Sequence, residues 1–160
     1  MKMGAGVEWM VHACITLACA PAGAPVQAGA LAEFHGLPKA YLAKQLQSLV
    51  RAGILRSTPG VQGGFSLART AGEISLMDIV VAVEGPADLF QCTGIRDNGV
   101  GAQLGMTSGR LPCIVQIEMS KAEMAMRKAL AARTIAHLIE SLDSGAPKVL
   151  GVTREWLQAL

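Results

Sequence analysis

Aromatic residues are scarce in this chain, with three Phe, two Trp and one Tyr among 160 residues. Charge is scarce too: 16% of residues are Asp, Glu, Lys or Arg, and the net balance is only +2. So small a net charge excludes binding to nucleic acid by global electrostatics, and any basic surface must be local. Beyond the N-terminal segment, no stretch is apolar for the ~20 residues that crossing a bilayer needs. The four cysteines, Cys14, Cys19, Cys92 and Cys113, stand too far apart for the disulfide framework of a small secreted domain. What is plentiful is apolar filling, 51% of the chain and rich in Ala, Leu and Met, as packed helices require. The length suits one domain, or a small domain with an extension, and allows a sizeable core.

The N-terminal segment must first be weighed against a secretory leader. Lys2, the apolar run from Met10 and the small-residue stretch ACAPAGA at 18–24 imitate one. Its positive region is a single lysine, however, and Glu8 and His12 lie where a leader needs unbroken apolar residues. The segment is therefore expected to stay in place, in a cytoplasmic protein. Glu8 and His12, in GVEWMVHAC, are spaced so that on a helix they share one face, one turn apart. Such a pair is either a hydrogen-bonded couple on a helix surface or two ligands for one atom. Spacing alone allows both.

Residues 6–20 read as a first helix, stopped by APAGAP at 20–25. VQAGALAEF at 26–34 is a short second helix, ended by His35 and Gly36. Pro38 suits the first turn of a third, in which Tyr41, Leu42, Leu46, Leu49 and Val50 recur at helical spacing before Gly53 caps it. Two strand-like runs, 54–57 and 64–67, flank TPGVQG, whose glycines permit a tight turn. Helix, turn, helix and hairpin in that order make a winged helix-turn-helix. SLMDIVVAV at 75–83 is a fourth helix, and residues 85–111 break every periodicity, as functional or disordered loops do. Residues 114–142 carry one helical pattern, about eight turns long. Its apolar stripe needs a partner helix, most simply from a second copy. Residues 153–160 add a small last helix. The expected fold class is mainly α with a small β-hairpin wing: a winged helix-turn-helix domain plus a long dimerisation helix. Its parts are a DNA-binding domain at 1–85, a cofactor-binding loop at 86–113, and a dimerisation helix with a C-terminal tail at 114–160.

The basic surface missing from the whole chain is present locally. Between residues 31 and 73, Lys39, Lys44, Arg51, Arg56 and Arg69 are balanced only by Glu33 and Glu73. Lys39, Ala40, Tyr41, Ala43 and Lys44 fall early on the third helix, the part of such a motif that enters a major groove, and Gly60 and Gln62 lie in the wing.

The run from Ala40 to Gly85, with its YLxxxLxxLxxAG helix and GxxGG wing, resembles the Rrf-type winged-helix regulators, the IscR/NsrR family. The likeness extends over nearly the whole chain and is densest from Tyr41 to Gly85. It implies a dimeric repressor or activator on a double-stranded DNA operator, many members sensing through an iron–sulfur cluster held by three loop cysteines. This chain departs from that pattern, because its loop offers only Cys92 and Cys113, and two thiolates cannot complete a cluster. GVEWxxH resembles the start of a redox-sensing iron–sulfur member. By that resemblance Glu8 and His12 bind one iron of a [2Fe-2S] cluster while Cys92 and Cys113 bind the other. Trp9, adjacent to Glu8, is large enough to change its packing with cluster state, which makes it a redox-switch candidate; its other reading is an ordinary core or interface Trp. Relatives often carry an arginine just before the first wing glycine, where a cation enters a narrow minor groove. Here that position is Pro59, with Gln62 the polar substitute.

The ligand chemistry is sound apart from the resemblance. Imidazole and carboxylate both ligate iron, and a helical i, i+4 pair can chelate one metal. Replacing two thiolates by a carboxylate and a neutral imidazole makes the oxidised site less negative, so it accepts an electron more readily. A ligating histidine also couples redox state to pH. Two other uses of these residues stay open: a reversible Cys92–Cys113 disulfide, and a zinc site of Glu, His and two Cys. A metal-dependent or electron-transfer protein would need a pocket with further convergent polar residues, and the chain offers few. No catalytic residue, small-molecule substrate or membrane is therefore expected. Cys14 and Cys19 read as buried small hydrophobes, and Met106, Met119, Met124 and Met126 as loop and dimer-core filling. His35 and His137 read as surface residues without ligand-spaced neighbours.

Overall fold

The computed structural model describes residues 3–86, 88–105, 107 and 112–160, so Lys2 and Met106 lie outside the described residues. In order come α1 (Ala5–Ala18), α2 (Ala28–His35), α3 (Lys39–Arg51), β1 (Leu55–Thr58), β2 (Gly64–Leu67) and α4 (Leu76–Glu84). They are followed by α5 (Gly99–Gln103), α6 (Ile114–Ala131), α7 (Ile135–Gly145) and α8 (Pro147–Gln158). The fold is mainly helical with one two-stranded antiparallel sheet, as the sequence pattern predicts. The chain gathers into two compact units: a larger one that runs to Pro86 and resumes at Leu130–Leu160, and a smaller one made from the segment between.

In the larger unit, α1 gives way to a 3-10 turn at Pro21–Gly23, where proline removes a backbone donor. α2 ends on Gly36, whose left-handed backbone (φ 63°) a residue with a β-carbon resists. That turn reverses the chain into α3. Leu42, Leu46 and Leu49 of α3 are fully buried in one core with Met10, Ala13 and Leu17 of α1. Each buried leucine contributes about 1.5–3 kcal/mol. Ile54, Leu55 and Phe65 bring the hairpin into this core, Ile79 brings α4, Ile135 brings α7, and Leu157 brings α8. The strands pair Leu55 with Leu67 and Thr58 with Gly64. A separate bridge between Val26 and Phe65 ties the hairpin to the residues that lead into α2; Val26, read from the sequence as helical, makes this pairing instead. Ser75 caps α4 reciprocally with Asp78: the Asp78 N–H donates to Ser75 Oγ at 3.1 Å, and the Ser75 N–H donates to Asp78 Oδ2 at 2.9 Å.

The single long helix expected over 114–142 is overturned. It breaks at residues 132–134 into α6 and α7. The Leu76 N–H donates to the Arg133 carbonyl at 2.8 Å, and the Ile135 N–H donates to the Ile74 carbonyl at 2.9 Å. Thr134 then starts α7, its hydroxyl accepting from the His137 N–H at 3.3 Å and meeting His137 Nδ1 at 2.8 Å. Pairing with the start of α4 thus outweighs helix continuity over these three residues, and it delivers Ile135 to the core. The last helix is longer than its expected span, beginning at Pro147 in its first turn. The loop read as structureless holds a 3-10 turn at Ile95–Asp97 and the short α5. Among the described residues no helix is long and apolar enough to cross a membrane.

Leu46→Ala should lower the unfolding free energy by about 2–5 kcal/mol, measured by urea denaturation followed by circular dichroism. A variant as stable as the parent would place Leu46 outside the core.

Candidate nucleic-acid interface and metal-ligand pairs

The stripe that α3 buries determines the face it shows. Lys39, Ala40, Tyr41 and Lys44 are exposed and Ala43 is partly buried. The Tyr41 ring meets the Trp9 ring of α1 edge-on, with centroids 5.1 Å apart and planes at 79°. Such aromatic pairs are worth about 0.5–1.5 kcal/mol beyond area burial, so an exposed tyrosine is held in a defined position. Among the described residues neither Lys39 nor Lys44 takes part in an ion pair. The Lys39 side chain lies over Gly29 of α2, where a β-carbon would come within 3.4 Å of its Nζ. The first turns of α2 and α3 therefore share one surface. Gly60 and Gln62 are exposed at the hairpin tip.

On α1, Met10, Ala13, Cys14 and Leu17 point into the core, and Glu8 and His12 are exposed on the outer face. Beside them stands a residue that the sequence left without neighbours. His35, at the end of α2, has its ring centroid 6.1 Å from that of His12. Its Nε2 is 3.1 Å from Thr16 Oγ1. Burial, and then the charge of His12, holds the His35 imidazole below its ordinary titration range. No sequence spacing could announce this pair, because it exists only once α2 packs on α1.

In the smaller unit Cys113 stands at the start of α6, its carbonyl accepting from the Ile117 N–H at 3.0 Å. The Gln116 N–H points at its sulfur, and so does that of Val115; with the Arg96 charge and a hydrogen bond to Cys92, they hold the thiol below its usual range against opposing desolvation. Cys92 and Cys113 are thus adjacent and unbridged. Two clamps bring the ends of this loop together. Arg96 Nη1 donates to the Pro112 carbonyl at 3.3 Å. Glu123 of α6 accepts from the Leu89 N–H at 3.1 Å while paired with Arg127 at 2.6 Å. By contrast, burial pushes the Cys14 thiol up to about 12 and also raises that of Cys19. Cys14 is fully buried as expected, whereas Cys19 is only partly so.

Glu8 is thus placed with His12, and Cys92 with Cys113. The first pair belongs to the larger unit and the second to the smaller. Among the described residues no three His, Cys, Asp or Glu side chains gather into a group able to hold a metal. His137, read as a surface residue, is the capping partner of Thr134.

A family model described as Rrf2, iron-dependent transcriptional regulator, matches residues 3–141. The chain is 31% identical over 160 residues to the putative HTH-type transcriptional regulator YffB of Lactococcus lactis, covering 100% of this chain and 99% of that one. Among solved structures, CymR, the global cysteine regulator of B. subtilis, superposes with a TM-score of 0.66 at 20% identity, over 88% of this chain and 98% of that one. IscR of T. potens does so with a TM-score of 0.64 at 24% identity, over 91% of each. At these identities the two structures establish the fold. The matched family and relatives are regulators, so the metal-dependent or electron-transfer enzyme weighed from the sequence is set aside. With a helix-turn-helix, a wing and a family match over most of its length, this chain belongs to the Rrf2 family of winged-helix, DNA-binding transcription regulators.

Proposed function

We propose that the chain acts in the cytoplasm as a homodimeric redox sensor. It binds a double-stranded operator through Lys39, Ala40, Tyr41, Ala43 and Lys44 of α3 and Gly60 and Gln62 of the wing. It senses through a [2Fe-2S] cluster held by Glu8, His12, Cys92 and Cys113. The observation that carries the reading is the meeting of Cys92 with Cys113, with two helix N–H groups aimed at one of the sulfurs. On this reading residues 1–85 bind DNA, 86–113 form the cofactor loop, and 114–160 supply the dimer contact.

The donor sets suit the group. Each pair offers two ligands, the number each iron of a [2Fe-2S] centre takes from the protein. The Gln116 and Val115 N–H groups favour the thiolate form that ligates metal. Glu8 and His12, being exposed, need give up no buried contact to bind. The family's description as iron-dependent also supports iron. When bound, the cluster would supply a one-electron change of charge. The chain's own residues set the consequences: a carboxylate and an imidazole leave the site less negative than four thiolates would. His12 has a second ring nitrogen that can hold a proton. Trp9, between Glu8 on α1 and Tyr41 on α3, would pass a change in α1 to the DNA-reading face. On α6, Ile114, Ile117 and Met124 are 66%, 39% and 54% exposed and lie along one stripe. A second copy would cover them.

The same cysteine geometry favours a second reading, a reversible Cys92–Cys113 disulfide, since hydrogen-bonded thiols need little movement to reach bonding distance. Protein purified anaerobically should show broad sulfur-to-iron absorption in the visible, with near two irons and two sulfides per chain. Colourless protein that forms a Cys92–Cys113 disulfide on oxidation would replace the cluster by the thiol switch.

His12→Cys should keep a cluster but exchange a neutral ligand for an anionic one. Its midpoint potential should fall, and the dependence of that potential on pH should flatten with loss of the titratable ring. Potentiometry across pH decides this; unchanged curves would make Glu8 and His12 a helix-face pair.

Lys44→Ala should weaken operator binding and reduce its salt slope by about one if the contact is to phosphate, with the dimer intact. Wild-type affinity and slope would mean that α3 is not in the groove.

A further inference from the structure

The hairpin tip offers DNA no charge. Between Thr58 and Gly64 run Pro59, Gly60, Val61, Gln62 and Gly63, and Val61 is 91% exposed, the highest value for a large apolar side chain among the described residues. A single exposed valine needs no explanation in itself. This one, however, sits on a tip built to hold one shape. At Gly63 a β-carbon would run into the Thr58 carbonyl, and at Gly64 into the Val26 carbonyl. The Gly63 N–H closes the turn onto the Gly60 carbonyl at 3.0 Å. Gln27 Nε2 donates to the carbonyl of Val61 itself at 2.7 Å. Below the tip, Val26 and Phe65 exchange both backbone hydrogen bonds, at 2.9 and 2.8 Å.

These contacts also say where the tip lies. Gln27, which holds it, precedes α2, and Gly29, two residues on, lies beneath the Lys39 side chain. The tip and the first turn of α3 therefore flank the same turn of α2. With α3 in a major groove by that turn, the tip would stand to one side of it, and what borders a major groove is a sugar–phosphate strand with the minor groove beyond.

We infer that Val61 is an apolar contact to DNA, its isopropyl group seated on the deoxyribose walls of the minor groove beside the α3 site, and that Gln27 is its positioning residue. The inference rests on the reading that α3 enters the major groove. Sugars are the apolar part of the duplex, and apolar wedges are an established way of using that groove. Because such a contact releases no counterions, it adds affinity without adding salt dependence. The missing wing cation is thereby replaced by a contact of a different kind, with Gln62 at the polar edge.

The test uses the full-length protein and a duplex selected by it from a randomised pool, with affinity measured across salt concentration. Val61→Ala should bind about fivefold more weakly with an unchanged salt slope, as expected for loss of partly buried methyl groups. Val61→Lys should steepen the slope by about one. Gln27→Ala should mimic Val61→Ala, and the double variant should lose little more than either, because both act on one contact. Wild-type affinity in Val61→Ala together with an unchanged slope in Val61→Lys would overturn the inference. If Lys44→Ala still loses affinity and slope in that case, only the wing contact fails; if Lys44→Ala is silent too, the placement of α3 fails first.

Discussion

Leu42, Leu46 and Leu49 of α3 have no exposed surface, and Met10, Ala13 and Leu17 of α1 close the same core. Side chains leave a helix in fixed directions, so burying one stripe fixes what the opposite face presents. On α3 the opposite face carries Lys39, Tyr41 and Lys44; on α1 it carries Glu8 and His12. The packing of two helices thus orients both the groups that suit DNA and one half of the proposed ligand set. A voided position in this core would not simply weaken the fold, since it would loosen the register between those two faces. Trp9 is the point where they touch, its ring against that of Tyr41.

Most of this architecture is legible from periodicity and punctuation. The leucine spacing of α3, Gly36 at the end of α2 and the glycines of the hairpin each impose their element locally, without help from distant residues. The break between α6 and α7 is not legible, because Ala131, Ala132 and Arg133 are all good helix formers and Thr134 is a modest signal. What breaks the helix is pairing with residues 74–76, a contact from far along the chain. The candidate site divides in the same way. Glu8 and His12 are visible because helical spacing is a local rule, whereas His35 beside His12 is invisible. Spacing names Cys92 and Cys113, but only the family resemblance pairs them; in the fold their adjacency depends on Arg96 and Glu123 closing a long glycine-rich loop.

The low net charge acquires a meaning at this point. A protein of +2 cannot hold DNA by its total charge, and its exposed cations need a shaped surface to count. On the proposed reading the first turns of α2 and α3 and the hairpin tip supply one, fastened by Gln27 at one end and by the Lys39 side chain over Gly29 at the other. Much of the affinity of such a surface comes from fit rather than from charge. Small displacements of α3 then matter more than they would in a strongly basic protein, where phosphate attraction tolerates misalignment.

That sensitivity is what a sensor of the proposed kind requires. Neither ligand pair can satisfy a cluster alone, and the two pairs belong to different compact units. Completing the ligand set would therefore spend metal–ligand bonding on a particular arrangement of α1 relative to its partner loop. A change in cluster charge would alter how strongly that arrangement is favoured, and only this difference can shift a conformational equilibrium. Because α1 and α3 share one core, a shift of α1 need not travel through a flexible linker to reach Tyr41 and Lys44. The same logic would account for Glu8 and His12 standing in place of a third and fourth cysteine. Oxygen and nitrogen donors on a regular helix would place the charge change directly on the element that packs against α3, the proposed DNA-reading helix, rather than leave it within the loop.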